Sequence, residues 1–258
     1  MEVDIGPLLG EWENDPDQIV ARRIIGSDGR EKIQMRIELG LLQMEADGRP
    51  DGVRPHGSES LLEYHLSRLE QELATRGCAD GFALSQEECA ELQAEALQYY
   101  HRYICCFALE DYERAQRDTA RNLRLFDLVW KYAEQAEDRW ALEQHRPYLL
   151  MMNARARAAL ELQAGRRGQA LRTVDRAIGC IEEFFARHQE PELAEASREI
   201  AFLRLLRREI RGGRAPSQEQ ALRVQLQEAV EVEDYATAAK LRDQLERLEA
   251  QRQGQERG

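Results

Sequence analysis

The chain has 258 residues, of which 33% are charged and 7% aromatic, and its formal net charge is −12. That length supports one large or two small domains with a sizeable core. With a mean hydropathy of −0.65, no run approaches the roughly 18–20 apolar residues of a membrane-spanning helix. The acidic balance argues against broad affinity for a phosphate backbone. Residues 1–6 lack a positive region followed by an apolar stretch, and the five cysteines show no repeated spacing. Both features predict reduced thiols and a cytoplasmic location.

Residues 17–54 are the one part that reads as β. Ile19 to Ile25 is a short β-branched run, and Gly26 to Arg30 is a turn. Ile33, Met35, Ile37 and Leu39 then alternate with Gln34, Arg36 and Glu38, the period of a half-buried strand. Gly40 is predicted to mark a bulge before Leu41 to Met44. The expected element is a small β-hairpin within residues 1–57, followed by glycine- and proline-rich loops. An isolated hairpin is marginal in water, so it must pack on helices or pair with another chain. The block 28–57 concentrates glycine, arginine and acid. Such turns often frame a binding surface, but ordinary β-turns demand the same residues. A ligand site using Arg30 or Arg36 stays open on composition alone.

From residue 58 the pattern is helical. Ser60 with Glu63 and Ser85 with Glu88 read as capping boxes. Gly77 and Gly165 are expected helix stops, and Pro147 suits a first turn. The periodicity predicts helices over 60–75, 86–108, 112–136, 147–163, 167–188, 191–211, 218–231 and 235–251, with a further short turn at 138–145. Three tight turns each precede a small packing residue, at Ala115, Ala170 and Ala238. Ala170, Val174 and Ala177 also fit the second helix of tetratricopeptide-like repeats. Thr119 and Asn122 break that pattern, and the interval from Ala115 to Ala170 is no multiple of the repeat length. The fold class expected is therefore mainly α. It comprises stacked helical hairpins, degenerate and tetratricopeptide-like, behind the β-hairpin, with a separate αα-hairpin at the C-terminus.

Arg204, Arg207, Arg208 and Arg211 share one helical face, while Leu203, Leu206 and Ile210 lie on the other. A nucleic-acid groove could use that stripe. Lysine, however, occurs only at Lys32, Lys131 and Lys240, so the arginines read as a coding bias and a solvated face. Gly212 to Pro216 is the clearest linker. The domains expected are 1–57, a helical body 58–211, a linker 212–217, a hairpin 218–251 and a disordered tail 252–258.

The hairpin carries the most informative pattern. Leu222, Leu226 and Ala229 repeat at helical spacing, as do Ala238, Leu241, Leu245 and Leu248, with Glu233-Asp234-Tyr235 at the turn. Such a hairpin cannot bury a core of its own, so it must dock on something. This segment resembles the UVR motif, a helical hairpin shared by the B and C subunits of bacterial nucleotide excision repair and by some regulators of Clp-type chaperone-proteases. The resemblance rests on Leu222, Leu226, Ala229, Tyr235, Ala238-Ala239, Leu241-Arg242-Asp243, Leu245 and Leu248. Ala236 stands where the family usually has glutamate. The resemblance implies a protein partner bearing another such hairpin, including a second copy of this chain, and a repair or protease-regulation setting. The apolar positions would fill the interface, the alanines would permit close approach, and Arg242 and Asp243 would fix register.

Other chemistry is weakly signalled. His101 and Cys105 lie one turn apart with Cys106 beside them, yet a zinc site needs three or four ligands; buried small side chains are the better reading. The chain lacks a phosphate-loop motif and a nucleophile elbow. Aromatics from Tyr99 to Tyr132 recur at helical steps, as an interhelical core would. The expectation is a non-catalytic protein-protein interaction adaptor without cofactors. The alternatives are a repair accessory using the arginine stripe, or an enzyme or ligand-binding protein using the N-terminal loops.

Overall fold

The computed structural model describes residues 4–12, 15, 18–79 and 81–212. The chain divides into two compact units, Met1–Leu160 and Glu161–Gly258.

The first unit opens with a short helix, α1 (Gly6–Gly10), and three strands: β1 (Ala21–Ile25), β2 (Glu31–Ile37) and β3 (Gly40–Glu45). The strands form one antiparallel sheet in the order β1-β2-β3. The expected hairpin is thus a three-stranded sheet. Gly40 is not a bulge, because it opens β3 and pairs with Ile37, leaving Glu38-Leu39 as a two-residue turn. Between β1 and β2, Gly29 adopts φ +74 and Asp28 Oδ1 accepts the Arg30 N–H at 3.1 Å.

Register sorts the side chains by face. Ala21, Ile33, Met35, Leu42 and Met44 share one face and join the apolar core, where β1 and β2 pack on α3. On the other face Arg22 Nε donates to Gln34 Oε1, and Gln34 Nε2 to Gln43 Oε1. This ladder satisfies polar groups across all three strands.

The helices follow: α2 (Leu61–Arg76), α3 (Gln86–Ala108), α4 (Tyr112–Tyr132), α5 (Ala136–Glu143) and α6 (Arg146–Gln163). Ser85 and Glu88 form the full capping box of α3. At α2 Ser60 Oγ accepts the Glu63 N–H, but Glu63 does not reach back; its carboxylate meets Arg124 at 3.3 Å. Helix α4 stops at Tyr132, short of the expected 136. Ala133 turns to ψ 139, and its neighbours hydrogen-bond to Leu84, tying the loop before α3 to the loop after α4. Gly77 and Gly165 take φ +72 and +71, the left-handed stops expected of them.

In the second unit, α7 (Arg167–Arg187) packs on α8 (Arg198–Gly212). The expected helix from 191 is a 3-10 turn, Pro191–Ala194, and α8 proper begins at Arg198. Ser197 ends the break by accepting the Ile200 N–H on Oγ at 3.3 Å. Ala170, Val174 and Ala177 are buried, as their spacing predicts.

A buried charged seam joins α3 to α4. The side chains of Arg102 and Asp118 are each 1% exposed and meet as a bidentate pair at 2.6 and 2.9 Å. Arg102 Nη1 also donates to the carbonyls of Glu45 and Gly48 at 2.9 and 2.8 Å. Two turns earlier on α3, Glu95 accepts the Leu61 and Leu62 N–H groups at 2.8 and 3.2 Å, which are orphan donors of the first turn of α2. Arg121 donates to the same carboxylate, and Arg49 pairs with it at 2.9 Å. Tyr99 lies between Arg102 and Arg121, with their guanidiniums 4.8 and 4.0 Å from its ring centre.

Breaking such a pair strands a charge. Arg102→Met is expected to destabilise the protein by about 3–5 kcal/mol in chemical denaturation. Asp118→Leu placed on the Arg102→Met background should recover part of that loss, because the stranded carboxylate is then gone.

Candidate functional site

The N-terminal block was the open candidate for a ligand site, and most of its charges are engaged within the fold. Arg36 donates through Nε to the Trp12 carbonyl at 3.1 Å and through Nη1 to the carbonyls of Ile37, Glu38 and Gly40. It thereby closes the β2–β3 turn. Arg30 pairs with Asp28 at 2.8 Å and approaches Glu45 at 3.6 Å. Lys32 bonds Asp28 and Glu45. These contacts serve turn geometry, the bland reading of the block.

The loop after β3 meets the start of α4 in a polar cavity of about 310 Å³, lined by Asp47, Asp111, Glu113, Arg114 and Arg117. Asp111 caps α4 by accepting the Arg114 N–H at 3.2 Å. Asp47 is presented by a loop in which Gly48 takes φ +70, and its carboxylate accepts from Arg114 and Arg117. Arg114 additionally holds Glu31 and Asp111. Three carboxylates thus face two guanidiniums, each already committed to acids. Such a cleft is a poor receptor for an anion. Hydrogen bonds from Arg114, then from Arg117, hold the Asp47 carboxyl down at about 2.

The aromatic and cysteine positions sit where the helical spacing puts them. Tyr99, Tyr103, Phe107 and Phe126 are buried, as are Cys89, Cys105 and Cys106. Burial pushes the Cys105 and Cys106 thiols up to about 12, so they are inert small side chains. His101, expected beside Cys105, has its pKa lowered by desolvation.

The arginine stripe is partly spent as well. On α8, Arg207 Nη1 meets Asp175 Oδ1 of α7 at 3.0 Å, and Arg204 meets Glu182 at 3.4 Å. Arg208 and Arg211 are exposed. Two of the four charges therefore zip α7 to α8.

Sequence reasoning missed the α3–α4 seam. Its signal was present: Glu95, Tyr99 and Arg102 fall at i, i+4 and i+7 on the face that also carries Leu92 and Ala96. A polar residue recurring on an apolar face asks for a buried partner. Choosing Asp118 and Arg121 as the partners required the packing of α4. The residues expected to dock, Leu222, Leu226, Ala229, Tyr235, Ala238, Ala239, Leu241, Arg242, Asp243, Leu245 and Leu248, all lie outside the described residues.

Two outcomes are expected. The folded value of Asp47 is depressed, so its contribution to stability is present above the ordinary 3.8 and is lost as pH falls toward about 2. Acid unfolding of Asp47→Asn should therefore be shallower over that window. For the stripe, a gel-shift at near-physiological salt should show no submicromolar binding of duplex or single-stranded DNA, with or without Arg207→Glu and Arg208→Glu.

Comparison with known families places one segment. The UVR family model, described as the UvrB/uvrC motif, matches residues 220–251. No curated protein and no solved structure matches the chain. The C-terminal segment, with its Leu222, Leu226, Ala229, Tyr235 and Leu241-Arg242-Asp243 pattern, carries the UVR motif.

Proposed function

We propose that this protein is a non-catalytic, cytoplasmic interaction adaptor that docks on a protein partner through its C-terminal hairpin. The observation that carries the reading is the UVR match over residues 220–251, a motif of protein interaction in the family that defines it. Two features of the body support it. Arg30, Arg36 and Asp47 of the N-terminal block engage opposite charges or backbone carbonyls, and the core thiols are pushed toward the unreactive neutral form. Gly212 to Pro216 reads as a linker between body and motif. The partner is another UVR-bearing protein or a second copy of this chain, met helix on helix through Leu222, Leu226, Tyr235, Leu241, Leu245 and Leu248. A repair accessory using the α8 arginines is the weaker reading, since Arg204 and Arg207 are already paired with α7.

The test is association of three full-length variants beside the parent, read by analytical ultracentrifugation and by pull-down with a UVR-bearing partner. Leu241→Asp should abolish association, because an unpaired carboxylate in a helix contact costs several kcal/mol. Ala239→Leu should weaken it by holding the helices apart, and Gln244→Ala should change it little. Equal association by Leu241→Asp and the parent would falsify docking through this face.

A further inference from the structure

Helix α2 is seated by its first half. Leu61, Leu62 and His65 are buried, whereas residues 73–76 are exposed. His65 is 1% exposed, and its Nδ1 lies 2.9 Å from Arg68 Nη1. A guanidinium can only donate, so Nδ1 accepts and the ring is neutral, with its proton on Nε2. Arg68 is held in place by Glu88 of α3 and lies over the rings of Tyr64 and Phe82, 5.7 and 5.5 Å from their centres. His56 stacks on Tyr64 at 4.1 Å with a 21° interplanar angle. It does so from φ 50, a region that non-glycine residues rarely adopt.

The charged and titratable groups facing His65 are Arg68 on α2, His56 from the preceding turn, and Glu88 and Glu95 from α3. Neither acid is free to receive a further cation. Glu88 already holds Arg68 and the Ser85 N–H, and Glu95 holds two amides of α2 with Arg49 and Arg121. A proton on Nδ1 would replace an acceptor by a donor against the Arg68 guanidinium. At 1% exposure the imidazolium has no water to solvate it, and the charge is relieved only if the ring leaves its seat.

We propose that His65 is an acid-sensitive latch: proton uptake by its ring unseats α2 from α3 while the α3–α4 seam stays closed. Desolvation lowers the His65 pKa in the seated state from the ordinary 6.5, so the unseated state binds the proton more tightly. The seated state is therefore fully favoured above that value and progressively lost as pH falls below it.

The experiment is hydrogen exchange on the full chain from about pH 7.5 to about 5, corrected for the intrinsic pH dependence of amide exchange. One proton linked to opening should raise the opening constant of the 62–69 amides by up to about tenfold per pH unit, with α3 and α4 unchanged. His65→Gln keeps an acceptor for Arg68 but cannot titrate, and its α2 opening should be flat with pH. If that variant does not fold, the parent still decides. The His65 ring resonances must titrate with the same midpoint as α2 opening. Opening that ignores pH, an equal acid response in His65→Gln, or titration of His65 while α2 stays protected would each overturn the latch.

Discussion

A carboxylate taken out of water is tolerated only where cations and N–H groups replace its hydration, and the first unit is organised around two such groups. Glu95 and Asp118 face each other's helices across the α3–α4 seam, each with arginine partners and each almost wholly buried. Their demands recruit the rest of the unit. Glu95 draws in the first turn of α2 by its amides. Arg102, oriented by Asp118, grips the carbonyls at the end of β3 and at Gly48. Arg117 adds the Ala46 carbonyl. The sheet, the loop after it and the start of α2 are thus fixed by directional contacts, where an apolar interface alone would permit sliding.

The same logic explains the polar residues that spoil a tidy repeat pattern in α4. Thr119 is buried, and its hydroxyl bonds the Ala115 and Gln116 carbonyls. Asn122 donates to the Ala96 carbonyl at 3.0 Å, and Asn153 of α6 donates to Thr119 Oγ1 at 2.9 Å. Every one of these groups is satisfied, so the seam is specific as well as apolar. Ala115, buried at the start of α4, lets α3 and α4 approach closely after a tight turn. In the second unit Ala170 is buried at the start of α7 in the same way.

These features bear on function through what they consume. Residues 28–57 concentrate the charges from which a binding site would be built, and the folded protein uses most of them to hold turns and helix ends. The UVR motif follows α8 in the chain, over residues 220–251.

How far the sequence could be read depended on how local the cause was. Helix ends at Ser85, Gly77 and Gly165 followed from capping chemistry within a few residues, and the period-two run of β2 followed from alternation. The UVR motif was legible because its spacing is gap-free and its residues lie close together in the chain. Gly40 was misread because a glycine after a strand suits a bulge or a turn equally, and only pairing with Ile37 decides. The overlong α4 was ended by Leu84, which lies some fifty residues earlier in the chain and hydrogen-bonds to Tyr132 and Glu134. The roles of Glu95, Arg102 and Asp118 were hidden for the same reason. In a chain with 36 basic and 48 acidic residues, composition offers many possible pairs, and burial in the tertiary structure selects the few that matter. Sequence alone determined the helical class, the caps and the C-terminal motif. Which charges became structural was decided by long-range packing, because an ion pair acquires its weight only where water is excluded.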